Sequence, residues 1–384
     1  MAYQLGQVVL PRGLVKVPVC IDRGCRCSVS ARNAHEIEMS PGSLCDYNRD
    51  FITILNDVRL QSERSLTISK DLFLRTMTEL RDAGRGAFRS MGEDFCNCWG
   101  ETLPEQDERL FSLTFQTSAF PILWEFLYSG DPMVGVDPHS FWGYRHMITR
   151  ILVGLNQVPQ TLEDPENFLF CKNQYLAHWE EEQRSLLELT KTRNFHWVSL
   201  DELLPLIIKE NLPLADAVII AWASERFDII HLASHLIAPT DAADNILAAH
   251  LKLSYLLTDI QIPLRRLNAV RGSVRFQKTP LIFINACKSM TNPALLSQGE
   301  SFPHSFLNLG ASSVIATACD IPDLFAKEFS QKFYEFLFEN RGGSSPTVSE
   351  ALCHTRQFFM DEYSNPLGLA YGLYGHSDLS ICWE

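Results

Sequence analysis

The sequence predicts an α/β fold with a mostly parallel central sheet flanked by helices on both faces. Three observations carry this. Leu281-Ile282-Phe283-Ile284-Asn285-Ala286 follows Pro280, is mostly apolar or β-branched and runs into a polar segment, the pattern of a strand buried on both faces. Upstream, Phe227-Asp228-Ile229-Ile230-His231-Leu232-Ala233-Ser234-His235 has the same form. Helical patterns separate these runs, which is the rhythm of right-handed crossovers between parallel strands. One run leads into a thiol, Cys287, and the other ends in an imidazole, His235. The carboxyl edge of an open α/β sheet is where ligands bind. Two such strands side by side would deliver a Cys/His pair to that edge.

Length and composition bound the rest. A chain of 384 residues makes one large or two ordinary domains. Its 46% hydrophobic and 21% charged residues are those of a globular protein. A net charge of −13 argues against a nucleic-acid backbone or an anionic membrane as the main partner. The first ten residues carry no basic region, and Pro11-Arg12-Gly13 interrupts the apolar run there, so no secretory signal is expected. No run approaches the roughly 18 apolar residues of a membrane span. Eleven cysteines, an odd number, then read as reduced thiols of a cytoplasmic protein. Cys20, Cys25, Cys27 and Cys45, or Cys96 and Cys98, lack the spacing of a closed zinc site, so no metal is expected.

Along the chain, residues 1–44 show few periodic signals and predict an extended or strand-poor lead-in. Residues 51–55 and 64–68 read as short strands. Over residues 71–83, Phe73, Met77 and Leu80 predict an amphipathic helix that Gly84 ends. Residues 110–115 read as a strand, and residues 120–128 as an aromatic turn into a short helix, with Trp124 and Glu125 structural. Residues 173–190 read as a charged helix whose Glu180, Glu181 and Glu182 form a solvated face. Ser199 and Glu202 form a capping box, and Pro205 shortens or kinks the helix that follows. A helix over residues 215–223 leads into the histidine strand. Residues 237–267 form a long excursion with order at 251–254 and 256–260. After the cysteine strand come a loop over residues 289–303, a short helix closed by Gly310 and a strand at residues 313–317. Asp323 is placed at the cap of a helix with Phe325, Phe329, Phe333 and Leu337 at i+4 intervals. Pro346 opens a further helix through Leu352, Arg356 and Phe359, and residues 371–376 close the sheet.

Several of these stretches resemble, in order, the CHAT domain family, caspase-like cysteine peptidases related to separases and metacaspases. They are His231-Leu232-Ala233-Ser234-His235, Leu257-Thr258-Asp259, Ile284-Asn285-Ala286-Cys287-Lys288-Ser289, residues 310–317 with Pro322-Asp323, and Asn365-Pro366 with Leu373-Tyr374-Gly375. Residues 121–128 and Ile148-Thr149-Arg150 resemble the N-terminal half of that family. The resemblance implies a lead-in over residues 1–46 and a caspase-like domain over 47–384, with a non-catalytic half to about residue 195 and a catalytic half from residue 196.

It further implies a dyad of His235 and Cys287. An isolated thiol is only a few per cent thiolate at neutral pH, and an adjacent imidazolium lowers its pKa by several units. Oxyanion donors are expected from the amides of Cys287 and Leu236. Leu236 stands where relatives usually have glycine. His231 reads as a hydrogen-bonded core histidine and as second choice for the base. Asp320 and Asp323 fall where caspase-like folds build the S1 pocket, and a carboxylate there selects a basic P1 residue. By resemblance the partners are a protein substrate encoded nearby and a separate activator or sensor, in a prokaryotic defence or stress response such as activation of a gasdermin-like pore former. No cofactor is implied.

Overall fold

A computed structural model describes residues 16–21, 26–30, 34–38, 41–93, 96–97, 112–117, 122–152, 161–163, 165–208, 212–237, 249–286, 301–339, 345–376 and 379–382 of the chain. In chain order its elements are β1 (Lys16–Ile21), β2 (Arg26–Ser30), β3 (Ala34–Glu38), α1 (Pro41–Ile54), α2 (Asn56–Ser62), α3 (Lys70–Arg89), β4 (Ser112–Thr117), α4 (Trp142–Arg145), β5 (Met147–Leu152) and β6 (Thr161–Glu163). There follow β7 (Asn167–Lys172), α5 (Trp179–Lys191), β8 (His196–Ser199), α6 (Leu200–Ile207), α7 (Leu214–Ser224), β9 (Ile229–Ile237), β10 (His250–Tyr255), β11 (Thr258–Pro263), α8 (Leu264–Ala269) and β12 (Leu281–Ala286). The last are α9 (Phe302–Asn308), β13 (Ser313–Thr317), α10 (Asp323–Leu337), α11 (Val348–Tyr363), β14 (Tyr371–Gly375) and β15 (Ser380–Cys382).

One mixed sheet runs through the molecule. β7, β9, β12 and β13 pair in parallel, and β8 extends the block beside β7. β14, β5, β4 and β1 form a second parallel block, and the two blocks meet where β14 pairs antiparallel with β13. Helices cover both faces. Phe170, His231 and Phe283 lie under α5 and α10, whereas Cys171 on the other face meets Trp222 of α7. The sheet is the α/β arrangement expected from the alternating buried runs. Among the described residues no helix is long and apolar enough to cross a membrane.

Several elements depart from the sequence reading. The lead-in, read as extended or strand-poor, holds three strands, with β1 pairing in parallel to β4. Residues 51–55 are the end of α1 rather than a strand. Phe51, Leu55 and Val58 are all buried, so the apolar spacing is i, i+4, i+7 across two consecutive helices, a period that a five-residue window hides. Residues 64–68 form a turn, held by the Ile68 N–H donating to the Tyr363 carbonyl.

Gly84 does not end α3, which continues to Arg89. A Cβ there would lie 2.3 Å from the Phe126 carbonyl oxygen, so glycine serves a close helix-to-backbone approach. Gly310, with φ +104°, does follow α9 as a helix-closing residue. The capping box of Ser199 and Glu202 is present, and α6 stops two residues after Pro205. The Phe325, Phe329, Phe333 and Leu337 stripe is fully buried.

A buried polar cluster lies in the core, centred on Glu125. Glu125 follows Trp124, which stacks on Phe115 at 4.0 Å, and its carboxylate receives both terminal nitrogens of Arg150 on β5. Arg356 of α11 donates to the same carboxylate at 3.2 Å and to the Tyr371 carbonyl. Burial opposes ionisation of Glu125, and the guanidinium of Arg150, with help from Arg356, overrides it and holds the pKa below the ordinary range. Glu125→Ala would leave two buried guanidinium groups uncompensated and is expected to cost roughly 3–5 kcal/mol in urea unfolding. A loss below about 1 kcal/mol would show that water replaces the carboxylate.

Acid sensitivity has a specific source. Burial, with Arg145 beside it, lowers the pKa of His146 to about 3, and burial with Arg271 lowers that of His304 to about 4, against 6.5. The unfolded chain therefore binds these protons at higher pH than the folded one, and stability falls as pH drops below 6.5 towards those values. For His146 the loss at pH 5 is about 2 kcal/mol. Urea titrations at pH 7 and 5 should show this, and His146→Gln should flatten the slope; an unchanged slope would remove His146 as its cause.

Candidate active site

β9 and β12 run side by side in register from Ile229 opposite Leu281 to Ser234 opposite Ala286. β12 is buried along its whole length. Thr317 at the end of β13 donates its hydroxyl to the Ala286 carbonyl, fixing the point where β12 leaves the sheet. Cys287 is the next residue in the sequence and lies outside the described residues.

His235 follows Ser234 at the point where β9 changes partners. Along residues 229–233 the other edge of β9 belongs to β7, and from His235 onward it belongs to β10, with His235 opposite Lys252 and Leu236 opposite Leu251. His235 is half-buried. Leu236 lies in extended strand, its φ is not positive, and its side chain packs on the core. The strand conformation thus accommodates a side chain at the position where relatives usually carry glycine.

The crossing is held by a residue the sequence reading assigned to the start of a helix. Asn173 is fully buried after β7. Its backbone N–H donates to the Ala233 carbonyl at 2.7 Å, its side-chain amide to the Lys252 carbonyl at 2.8 Å, and its Oδ1 accepts from the Tyr175 N–H at 2.9 Å. One asparagine therefore joins the end of β7 to the middle of β9 and of β10, at the point where β9 changes partners. α5 begins only at Trp179, and the intervening residues wall a small cleft beside Ser234 and Ala286.

The floor of that cleft is polar. Glu182, expected on a solvated face with Glu180 and Glu181, is 4% exposed. Its Oε1 accepts from His231 Nε2 at 3.0 Å, Asn285 Nδ2 at 2.7 Å and Ser330 Oγ at 2.7 Å. Burial opposes its ionisation, and the hydrogen bonds from His231, Ser330 and Asn285 outweigh it, so its pKa lies below the usual range. The other ring nitrogen of His231, Nδ1, lies 3.3 Å from the Tyr334 hydroxyl. The ring is fully buried between Phe170 and Phe283. His231 is thus the hydrogen-bonded core histidine, and with both nitrogens engaged it offers no base to the cleft.

Asp320 and Asp323 follow β13 at the same edge, and Asp323 lines the cleft. Asp323 is the first residue of α10 and not its cap, which is Pro322. Its Oδ2 accepts from the Ala177 N–H at 2.7 Å and ties α10 to the loop before α5. Among the described residues no three His, Cys, Asp or Glu side chains cluster as metal ligands. Buried thiols elsewhere are unreactive in kind: burial pushes Cys171 up to about 12 and Cys353 to about 11.

Neither Glu182 nor Asn173 carries a local sequence signal that sets it apart. The one available clue is that Glu182 ends an acidic run four residues before the buried Leu186, placing both on one helix face.

A comparison with curated proteins returned no match. Among solved structures, the chain is similar to the Porphyromonas gingivalis complex of RgpB pro- and mature domains, over 77% of this chain and 71% of that one, at 10% identity and a TM-score of 0.46. It is similar to the Arg specific cysteine proteinase gingipain R over 88% and 76%, at 10% identity and a TM-score of 0.44. It is also similar to separase in the Saccharomyces cerevisiae separase–securin complex over 90% of this chain and 23% of that one, at 14% identity and a TM-score of 0.40. The CHAT domain model matches residues 155–366, which contain β7, β9, β12, β13 and the cleft they border. That span is more than half of the sequence, and the chain belongs to the CHAT domain family.

Proposed function

We propose that the chain is a cysteine endopeptidase that cleaves one or a few protein substrates with a dyad of His235 and Cys287. The observation that carries this is the parallel pairing of β9 with β12, whose last rung, Ser234 opposite Ala286, directly precedes both residues in the sequence. Membership of the CHAT family supports the same assignment.

The chemistry follows from the groups. The imidazolium of His235 stabilises the Cys287 thiolate, which attacks the scissile carbonyl. The amides of Cys287 and Leu236 stabilise the oxyanion, and His235 protonates the leaving amine. Water then hydrolyses the acyl-enzyme, and no step calls for a cofactor. Asp320 and Asp323 at the rim favour a basic P1 residue. The substrate is a protein encoded nearby, and a separate activator or sensor switches cleavage on in a prokaryotic defence or stress response.

A second reading is an inactive CHAT-fold scaffold. What favours it is Leu236, which occupies a strand position opposite Leu251 and brings a side chain to the site of the second oxyanion donor.

A peptidyl fluoromethylketone separates the two. Labelling confined to Cys287, lost in Cys287→Ala and slowed roughly 10²–10⁴-fold in His235→Ala, is the outcome expected of the peptidase. A scaffold would resist the reagent, and Cys287→Ala would keep its biological function. For peptides with Lys or Arg at P1, Asp320→Asn with Asp323→Asn should raise KM by about 10-fold, the equivalent of about 1.4 kcal/mol, and change little with an uncharged P1. Equal effects on both peptides would remove these carboxylates from specificity.

A further inference from the structure

Glu182 does more than the proposed chemistry asks of it. Here Oε1 takes three donors and Oε2 takes none among the described residues, although the side chain is almost completely buried. The group lines the cleft together with Ser234, Asn285 and Ala286.

We propose that Glu182 is a positioning residue of the active site, tying β9 to β12 through the side chains of His231 and Asn285; the inference rests on the His235–Cys287 reading. His231 stands four residues before His235 on β9, and Asn285 stands two residues before Cys287 on β12. Both donate to one oxygen atom. The Asn285 amide has no remaining slack, because it also donates to the Ala326 carbonyl at 3.0 Å and accepts from the Tyr371 hydroxyl at 2.9 Å. Ser330 brings α10 to the same oxygen. A single atom is thus the common reference for two strands and two helices. The burial-resisting hydrogen bonds keep the carboxyl ionised, so all three donors are drawn by one charge. Removing it strands three donors, and the side chains of β9 and β12 lose the anchor they share.

The test uses the full chain and two thiol reagents. Iodoacetamide requires only an accessible thiolate. A peptidyl fluoromethylketone with a basic P1 residue requires the sulfur, the imidazole and the cleft in one geometry. Rates are taken well below each variant's melting temperature, with the labelled residue identified by mass spectrometry. Glu182→Ala is expected to slow the peptidyl reagent about 10²-fold while iodoacetamide stays within about 3-fold. Glu182→Gln, whose amide oxygen can still accept at the position of Oε1, should recover the peptidyl rate to within about 10-fold of wild type. Equal slowing with both reagents in Glu182→Ala, or a wild-type peptidyl rate, overturns the positioning role. A wild-type chain that neither reagent labels overturns the dyad itself and this role with it.

Discussion

The constraint on which the structure depends is the register between β9 and β12. Parallel strands that start level finish level, because both rise by about 3.3 Å per residue. Leu281 opposite Ile229 therefore dictates Ala286 opposite Ser234, so the residues that follow these two in the sequence start from one edge of the β9–β12 ladder. Each remaining feature of the site defends that edge. Thr317 secures the last residue of β12, Asn173 secures the change of partner in β9, and Asp323 ties α10 to the loop before α5.

Two buried carboxylates do comparable work at different places. Glu125 joins an aromatic turn, β5 and α11 in the first half, and Glu182 joins α5, β9, β12 and α10 in the second. Both are ionised against the cost of burial, which only dense donor sets can offset. They differ in what surrounds them. Glu125 faces two guanidinium groups, whereas Glu182 is held by an imidazole, an amide and a hydroxyl and lines the cleft. The first arrangement suits a structural junction. The second leaves a charge at the margin of a reactive edge.

Much of this was legible before any coordinates. The strands at 229–237 and 281–286 announce themselves because burial on both faces demands unbroken apolar runs, and the Phe325, Phe329, Phe333, Leu337 stripe has a helical period that nothing else explains. The capping box of Ser199 and Glu202 is local chemistry and reads directly. What resisted reading was non-local. Glu182 looks like its neighbours Glu180 and Glu181 until the sheet is folded beneath it. Gly84 looks like a stop signal, and its reason is a carbonyl more than forty residues away. β7 was missed although Asp164-Pro165 marks its start, because its apolar run, Phe168 to Cys171, is only four residues long and is too short to tell from a buried helix segment. The register that would bring His235 and Cys287 together was inferable as a pattern of two similar strands, and the crossing to β10 that frames His235 was not.

The antiparallel meeting of β13 and β14 has a temporal consequence. β14 lies between β13 and β5, yet it is made after both. While the chain emerges from the ribosome, two blocks of parallel strands must wait with open flanks until the strand from Tyr371 to Gly375 arrives to bridge them. That last insertion, rather than either block alone, completes the sheet during synthesis, and a nascent chain arrested before it would expose two sticky edges to chaperones.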